Sequence, residues 1–164
     1  MENRTKLTEL LNELENEHRT LLFESFSSDT AWEIGVSLKE RAATGKRKIV
    51  IHIVRNSQVL FHYAFDGLRP DNDEWVRRKC ASVCRFYKSS YYVGMYLKNL
   101  GMTLDEKYHV SEHEYCIQGG GFPLTLANTG VIGAIAVSGM SEEEDHLWAM
   151  EAVRAYLKKI GEKK

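Results

Sequence analysis

Two prolines and three cysteines are all that this chain of 164 residues contains of either type. So little proline excludes a Pro-rich linker, and there is no Pro/Ser-rich tract that would mark a domain boundary. Cys80, Cys84 and Cys116 are too few, and odd in number, for a disulfide framework, which leaves the reading of a reduced, cytoplasmic protein. Charge of one sign is lacking as well: 22 Lys and Arg stand against 23 Asp and Glu. Without clustered positive charge the chain gives no support to bulk nucleic-acid binding. No apolar run is long enough to span a membrane, and the opening MENRTKLTEL has no apolar core of signal-peptide length. Internal repeats and low-complexity tracts are also missing. What remains is an ordinary globular balance, and a length that fits one domain over residues 1–164, burying about 70% of its unfolded surface.

The elements can be read in order. Leu7, Leu10, Leu11 and Leu14 recur at helical spacing and predict a helix from about Lys6 to His18. TLLFESF is short and apolar enough for a small strand. Ser28 or Asp29 caps a second helix with Ala31, Ile34, Gly35 and Leu38 on its inner stripe, ending near Gly45. KIVIHIVRNSQVLFHYAF reads as a hairpin turning at RNSQ, with apolar residues on both faces, so both faces should be covered. Asp71 to Asp73 offer an N-cap for a long helix over 74–88 with Val76, Cys80, Val83 and Tyr87 inward. SSYYVGMYLKNLG continues as a shorter helix, and residues 102–118 follow no clear pattern.

Six of the twelve glycines fall in GGGFPLTLANTGVIGAIAVSGM. Glycine at that density means either phosphate contact or tight turns between strands. No G-x-G-x-x-G fits the stretch, and no G-x-x-x-x-G-K exists in the chain. FPLTLA and VIGAIAVSG are strand-like and NTG is turn chemistry, so the stretch is a second hairpin. Ser141 to Glu144 then spells a capping box opening a last helix, with Leu147, Met150, Val153, Leu157 and Ile160 inward. Four carboxylates at its start, residues 142–145, would repel a phosphate from the helix N-terminus.

The run from Gly119 to Ala152 resembles the haem-degrading-domain-like (GlcG/HbpS-like) superfamily. Its G-G-x-P strand, G-A-I-G-V-S-G strand and D-x-x-x-A helix occur in the same order. Gly120, Gly121, Pro123, Gly133, Ala134, Ile135, Val137, Ser138, Gly139, Asp145 and Ala149 match, while Ala136 departs from the usual glycine. Upstream, KCASVCRFYKSS resembles the superfamily's K-A-x-T-A-x-x-F-x-R-P-T helix. Lys79 and Phe86 match there, and Cys80, Val83 and Ser89 differ. PDNDEWVRRK and SSYYVG are similar to a short subfamily within that group. The resemblance implies a profilin-like fold of the α/β (α+β) class: three layers, α/β/α, around an antiparallel sheet of about five strands. It also implies a homo-oligomer, and it makes haem a candidate ligand without carrying a universal haem ligand to any position here.

These readings place a pocket for a small organic or tetrapyrrole molecule among Trp75, Arg78, Lys79, Ser90, Tyr91, Gly120, Gly121, Phe122, Pro123, Asp145 and His146. Asp145 is the candidate functional carboxylate, against the alternative that it only compensates the helix dipole. Arg77, Arg85 and Lys88 fall on one helical face and could dock an anion, or could be solvated or paired to nearby acids. His52 and His62 lie opposite each other in the first hairpin, as hydrogen-bonded sheet residues or as iron ligands or proton shuttles. His109 and His113 have an H-x-x-x-H spacing near Cys116, and Cys80 and Cys84 sit one turn apart; either pair could begin a metal site, or the thiols could simply be buried. An adaptor without chemistry, using its surface aromatics as interfaces, is the alternative function. No nucleophile arrangement has a local signature.

Overall fold

The structure, a computed structural model, describes residues 2–162. The elements run α1 (Glu2–Thr20), β1 (Leu22–Phe23), α2 (Ser28–Thr44), β2 (Val50–Arg55), β3 (Gln58–Ala64), α3 (Pro70–Phe86), α4 (Ser90–Leu100), α5 (Leu104–Tyr108), β4 (Gly121–Leu126), β5 (Gly130–Ser138) and α6 (Glu142–Gly161). The five strands form one sheet in the order β1-β4-β5-β2-β3. All its pairings are antiparallel except the two-residue β1, which runs parallel to β4.

Both faces of the sheet are covered, as the apolar hairpin predicted. On one face Ile49, Ile51, Ile53, Phe122, Leu124, Ile135 and Val137 meet Ile34 and Leu38 of α2 and Met150 and Val153 of α6. On the other face Val50, Val54, Ala134 and Ala136 meet Val76, Cys80 and Val83 of α3. The small residues of β5 on that side let α3 lie close to the sheet, which matters for the site below. The result is the expected α/β/α sandwich, with α1 and α4 packed on each other at one end.

Local chemistry explains the boundaries. Asn56 and Ser57 both have positive φ (49° and 65°), so the first hairpin closes with two left-handed residues, as the strand twist favours. Ser27, one residue before the predicted caps, caps α2 by accepting from the Thr30 N–H. Helix α3 starts at Pro70, four residues earlier than the sequence suggested, because proline's fixed φ suits a first turn; Asn72 Oδ1 accepts from the Arg69 N–H there. Ser141 and Glu144 form the anticipated capping box.

Two inward stripes need correction. Tyr87 is left-handed (φ 55°) and 60% exposed, because α3 has already ended. Leu147 is 45% exposed, and α6 instead turns Asp145, His146 and Ala149 inward. Amphipathic counting missed this phase because it assigns polar residues to the outside.

Candidate functional site

Lys79 sits on the inner side of α3 and Asp145 on the first turn of α6, and both are buried. Lys79 Nζ lies 2.9 Å from Asp145 Oδ2 and donates to the Val137 carbonyl at 2.8 Å. Asp145 Oδ1 accepts from the Met140 N–H at 3.1 Å. One ion pair thus ties α3, the end of β5 and the start of α6. Burial pushes the Asp145 carboxyl above its ordinary value, while the Lys79 ammonium and the Met140 and Gly139 amides pull it back.

The glycines make room for this pair. Gly120 has φ +127°, and a Cβ there would collide with the Val137 carbonyl oxygen and lie 2.7 Å from Lys79 Nζ. Its carbonyl accepts from the Val137 N–H at 3.0 Å. Glycine density here therefore serves close approach, though to a lysine and a strand and not to a phosphate.

Above the pair lies a cleft of about 360 Å³, lined by Lys79 and Asp145 together with Trp75, Asn72, Gln118 and Glu142, and floored by Gly119, Ser138, Gly139 and Met140. Arg78 stacks behind Trp75, its guanidinium 4.3 Å from the ring centroid, and donates to the Glu112 carbonyl, so it holds the indole and faces away from the cleft. Lys79 carries three N–H donors, and among the described residues Asp145 and Val137 take two of them.

Of the residues expected to form one pocket, Trp75, Lys79 and Asp145 line the cleft, and Gly120 lies directly beneath Lys79. The others are placed elsewhere. Ser90 donates to the Gln118 carbonyl at 2.6 Å and accepts from the Gly121 N–H at 3.0 Å, so it pins the strand entry. Gly121 and Pro123 are strand residues of β4, and Phe122 is fully buried in the α2/α6 core. Tyr91 lines a different, open cleft with Met95, Glu142 and Glu143, and burial together with Glu143 pushes its phenol up to about 12. His146 is buried against Tyr91, with Nε2 3.0 Å from Glu17 Oε2. Asn72, Gln118, Met140 and Glu142 were missed; only the turn position of 138–140 next to Asp145 could have signalled them.

The other candidates resolve individually. Arg77 binds Glu74 and the His113 carbonyl, Arg85 reaches Tyr115, and Lys88 pairs with Glu15 at 2.6 Å, so they form no common anion face. His109 closes α5 in a left-handed conformation and His113 lies beyond it, so their spacing is not helical. Cys80 and Cys116 are buried and Cys84 exposed; all three are free, and burial raises each thiol. No group of three His, Cys, Asp or Glu among the described residues is placed to hold a metal ion. No helix among them is long and apolar enough to cross a membrane.

The match between residues 26–154 and the model of the haem-degrading protein HbpS-like family decides the lineage. The chain belongs to that family. A UPF0303 protein of Edwardsiella ictaluri is 42% identical over 149 residues, covering 91% of this chain and 95% of that one. The crystal structure of Ybr137w superposes with a TM-score of 0.84 at 27% identity, covering 91% and 88% of the two chains. The crystal structure of the PduOC:heme complex shares the fold, with a TM-score of 0.68 at 18% identity, covering 80% of this chain and 94% of that one.

Proposed function

We propose that the cleft over Lys79 and Asp145 binds a small, polar organic molecule. The observation that carries this is the Lys79 ammonium, which is buried, lines the cleft together with Trp75, and has a third donor available. A carbonyl or carboxyl oxygen would take that donor, the Asn72 and Gln118 amides would orient the rest, and the indole would cover a planar portion. Lys79 and Asp145 cancel in charge, and Glu142 leaves the lining with a net negative charge. That favours a neutral molecule with one acceptor group over a polyanion. A volume of about 360 Å³ sits at the small end of ligand cavities and suits a compact molecule.

Haem is the second reading, favoured by the family to which the chain belongs. The cleft fits it poorly. Met140 is the one soft donor in the lining, and no histidine or cysteine lines it. The two propionates of haem would also meet Glu142.

Native mass spectrometry of the purified full chain, with and without Trp75→Ala, tests the proposal. A co-purifying small adduct that disappears with Trp75→Ala supports it. An adduct retained by that variant, or a Soret shift at one equivalent of haem that Trp75→Ala leaves unchanged, overturns it.

A further inference from the structure

The open cleft beside Tyr91 holds about 440 Å³, more than the cleft over Lys79. Three helices wall it. Helix α1 is fastened to the body at its C-terminal half, where Leu14 is buried, Glu15 pairs with Lys88 at 2.6 Å and the Ser89 N–H donates to His18 Nε2 at 3.1 Å. Its N-terminal half carries Leu7 and Leu10, one turn apart and only half-buried, which line the cleft together with Met95 of α4. The family match begins at residue 26, beyond the end of α1, so one wall of this cleft comes from a segment outside the matched region.

Charges of both signs complete the lining: Arg4 and Lys6 of α1 and Lys98 of α4, against Glu142 and Glu143 of α6. Among the described residues Arg4 and Lys98 form no ion pair, and neither does Glu142 or Glu143. Opposite charges thus share the cleft without neutralising one another. The Tyr91 hydroxyl donates to Glu143 Oε1 at 3.4 Å, which holds that carboxylate on the cleft wall. Asn99 also lines the cleft, and its buried Oδ1 has no hydrogen-bond partner among the described residues. A buried acceptor left unpaired is costly, and a ligand N–H would relieve that cost.

We infer that this cleft binds a free α-amino acid with an apolar side chain. Each part of such a ligand answers a group on the wall. Arg4 and Lys98 supply the guanidinium fork and the ammonium that suit a carboxylate. Glu143 and Asn99 Oδ1 accept from the ligand's ammonium. Leu7, Leu10 and Met95 receive its side chain, and the unbranched Met95 adapts to side chains of different shape. A fatty acid would bring its carboxylate to Glu142 and Glu143 with nothing to offset them, and a simple amine would meet three cations. A zwitterion satisfies both sets. The terminal residue of a peptide carries one of the two charges and not both, so the free amino acid is the better match.

The test is titration of the full chain with L-leucine and L-phenylalanine, followed by calorimetry and by ¹H–¹⁵N NMR shifts of α1 and α4. N-acetyl-leucine lacks the ammonium and leucinamide lacks the carboxylate; each should bind about tenfold more weakly, as loss of one charge-assisted contact implies. Glu142 lines both clefts, so Glu143 is the acid to change. Glu143→Gln, and Arg4→Ala with Lys98→Ala, fall at exposed positions and should weaken L-leucine to a similar degree, while Trp75→Ala leaves it unchanged. No shift with either amino acid at millimolar concentration overturns the proposal. So does equal binding of a blocked form, or binding lost in Trp75→Ala but retained in Arg4→Ala with Lys98→Ala.

Discussion

Replacing Lys79 by Met should do more damage than its place on a charged helix suggests. The two side chains of the Lys79–Asp145 pair are 3% and 4% exposed, so water screens almost nothing. Removing one partner of such a pair costs about 3–5 kcal/mol, because the other charge stays buried. For a chain of this length each kcal/mol moves Tm by about 2–4 °C, so Lys79→Met should lower it by about 6–20 °C. A second substitution, Asp145→Asn, keeps an oxygen for the Met140 N–H and removes the orphaned charge; the double variant should recover at least half the loss. The pH dependence gives an independent check. Burial already holds the Asp145 carboxyl above 3.8, and without the ammonium it rises further. In Lys79→Met the folded form then keeps a proton that the unfolded form has released. Stability therefore falls as pH rises above 3.8 toward the folded value, and the deficit shrinks toward pH 4.5. Urea unfolding followed by far-UV circular dichroism at pH 4.5 and 7.5, on both single variants and the double, measures this. A loss under about 1 kcal/mol at both pH values, or a double variant no more stable than Lys79→Met, would refute the reasoning.

Two further outcomes follow from the packing. Gly120→Ala forces a side chain into φ +127° against the Val137 carbonyl and Lys79, which costs about 1–3 kcal/mol in backbone strain before any displacement of the lysine. Its melting temperature should fall, and an unchanged one would mean that the strand entry yields without cost at the Val137 carbonyl. Burial, followed by Lys88 and His146, lowers His18 to about 3 from 6.5, and its Nε2 accepts from the Ser89 N–H at 3.1 Å. The unfolded ring gains a proton below pH 6.5 while the folded one does not, so this contribution is complete above 6.5 and is lost as pH falls toward 3. By pH 5 the loss amounts to about 2 kcal/mol. His18→Asn should flatten the slope of unfolding free energy between pH 7.5 and 5, and an identical slope would assign the effect to other groups.

Much of the fold was legible because its signals are local. The near-continuous apolar run in KIVIHIV, the turn residues Asn56 and Ser57, and the Ser141–Glu144 box each act within a few positions. The parallel pairing of β1 with β4 was not legible, since it joins segments a hundred residues apart. At the site, the resemblance singled out Lys79 and Asp145 and the chain's spacing could not. A lysine in a charged run is assigned to solvent by any amphipathic count, and its burial depends on a partner 66 positions away. Ser90 and Tyr91 were placed in the same pocket because they adjoin the motif. Hydrogen bonds to Gln118 and Gly121, and contact with His146, direct them elsewhere.

The sheet's two flanks are unequal. Strand β3 forms one flank along its seven residues. On the other, β1 covers only Thr125 and Leu126 of β4; beyond it Pro123 has no N–H to offer and the Gly121 N–H is taken by Ser90. Addition of a foreign strand is therefore favoured at a single border. Growth into a fibre needs two receptive borders on every molecule, so recruitment along β3 would stop at a closed pair.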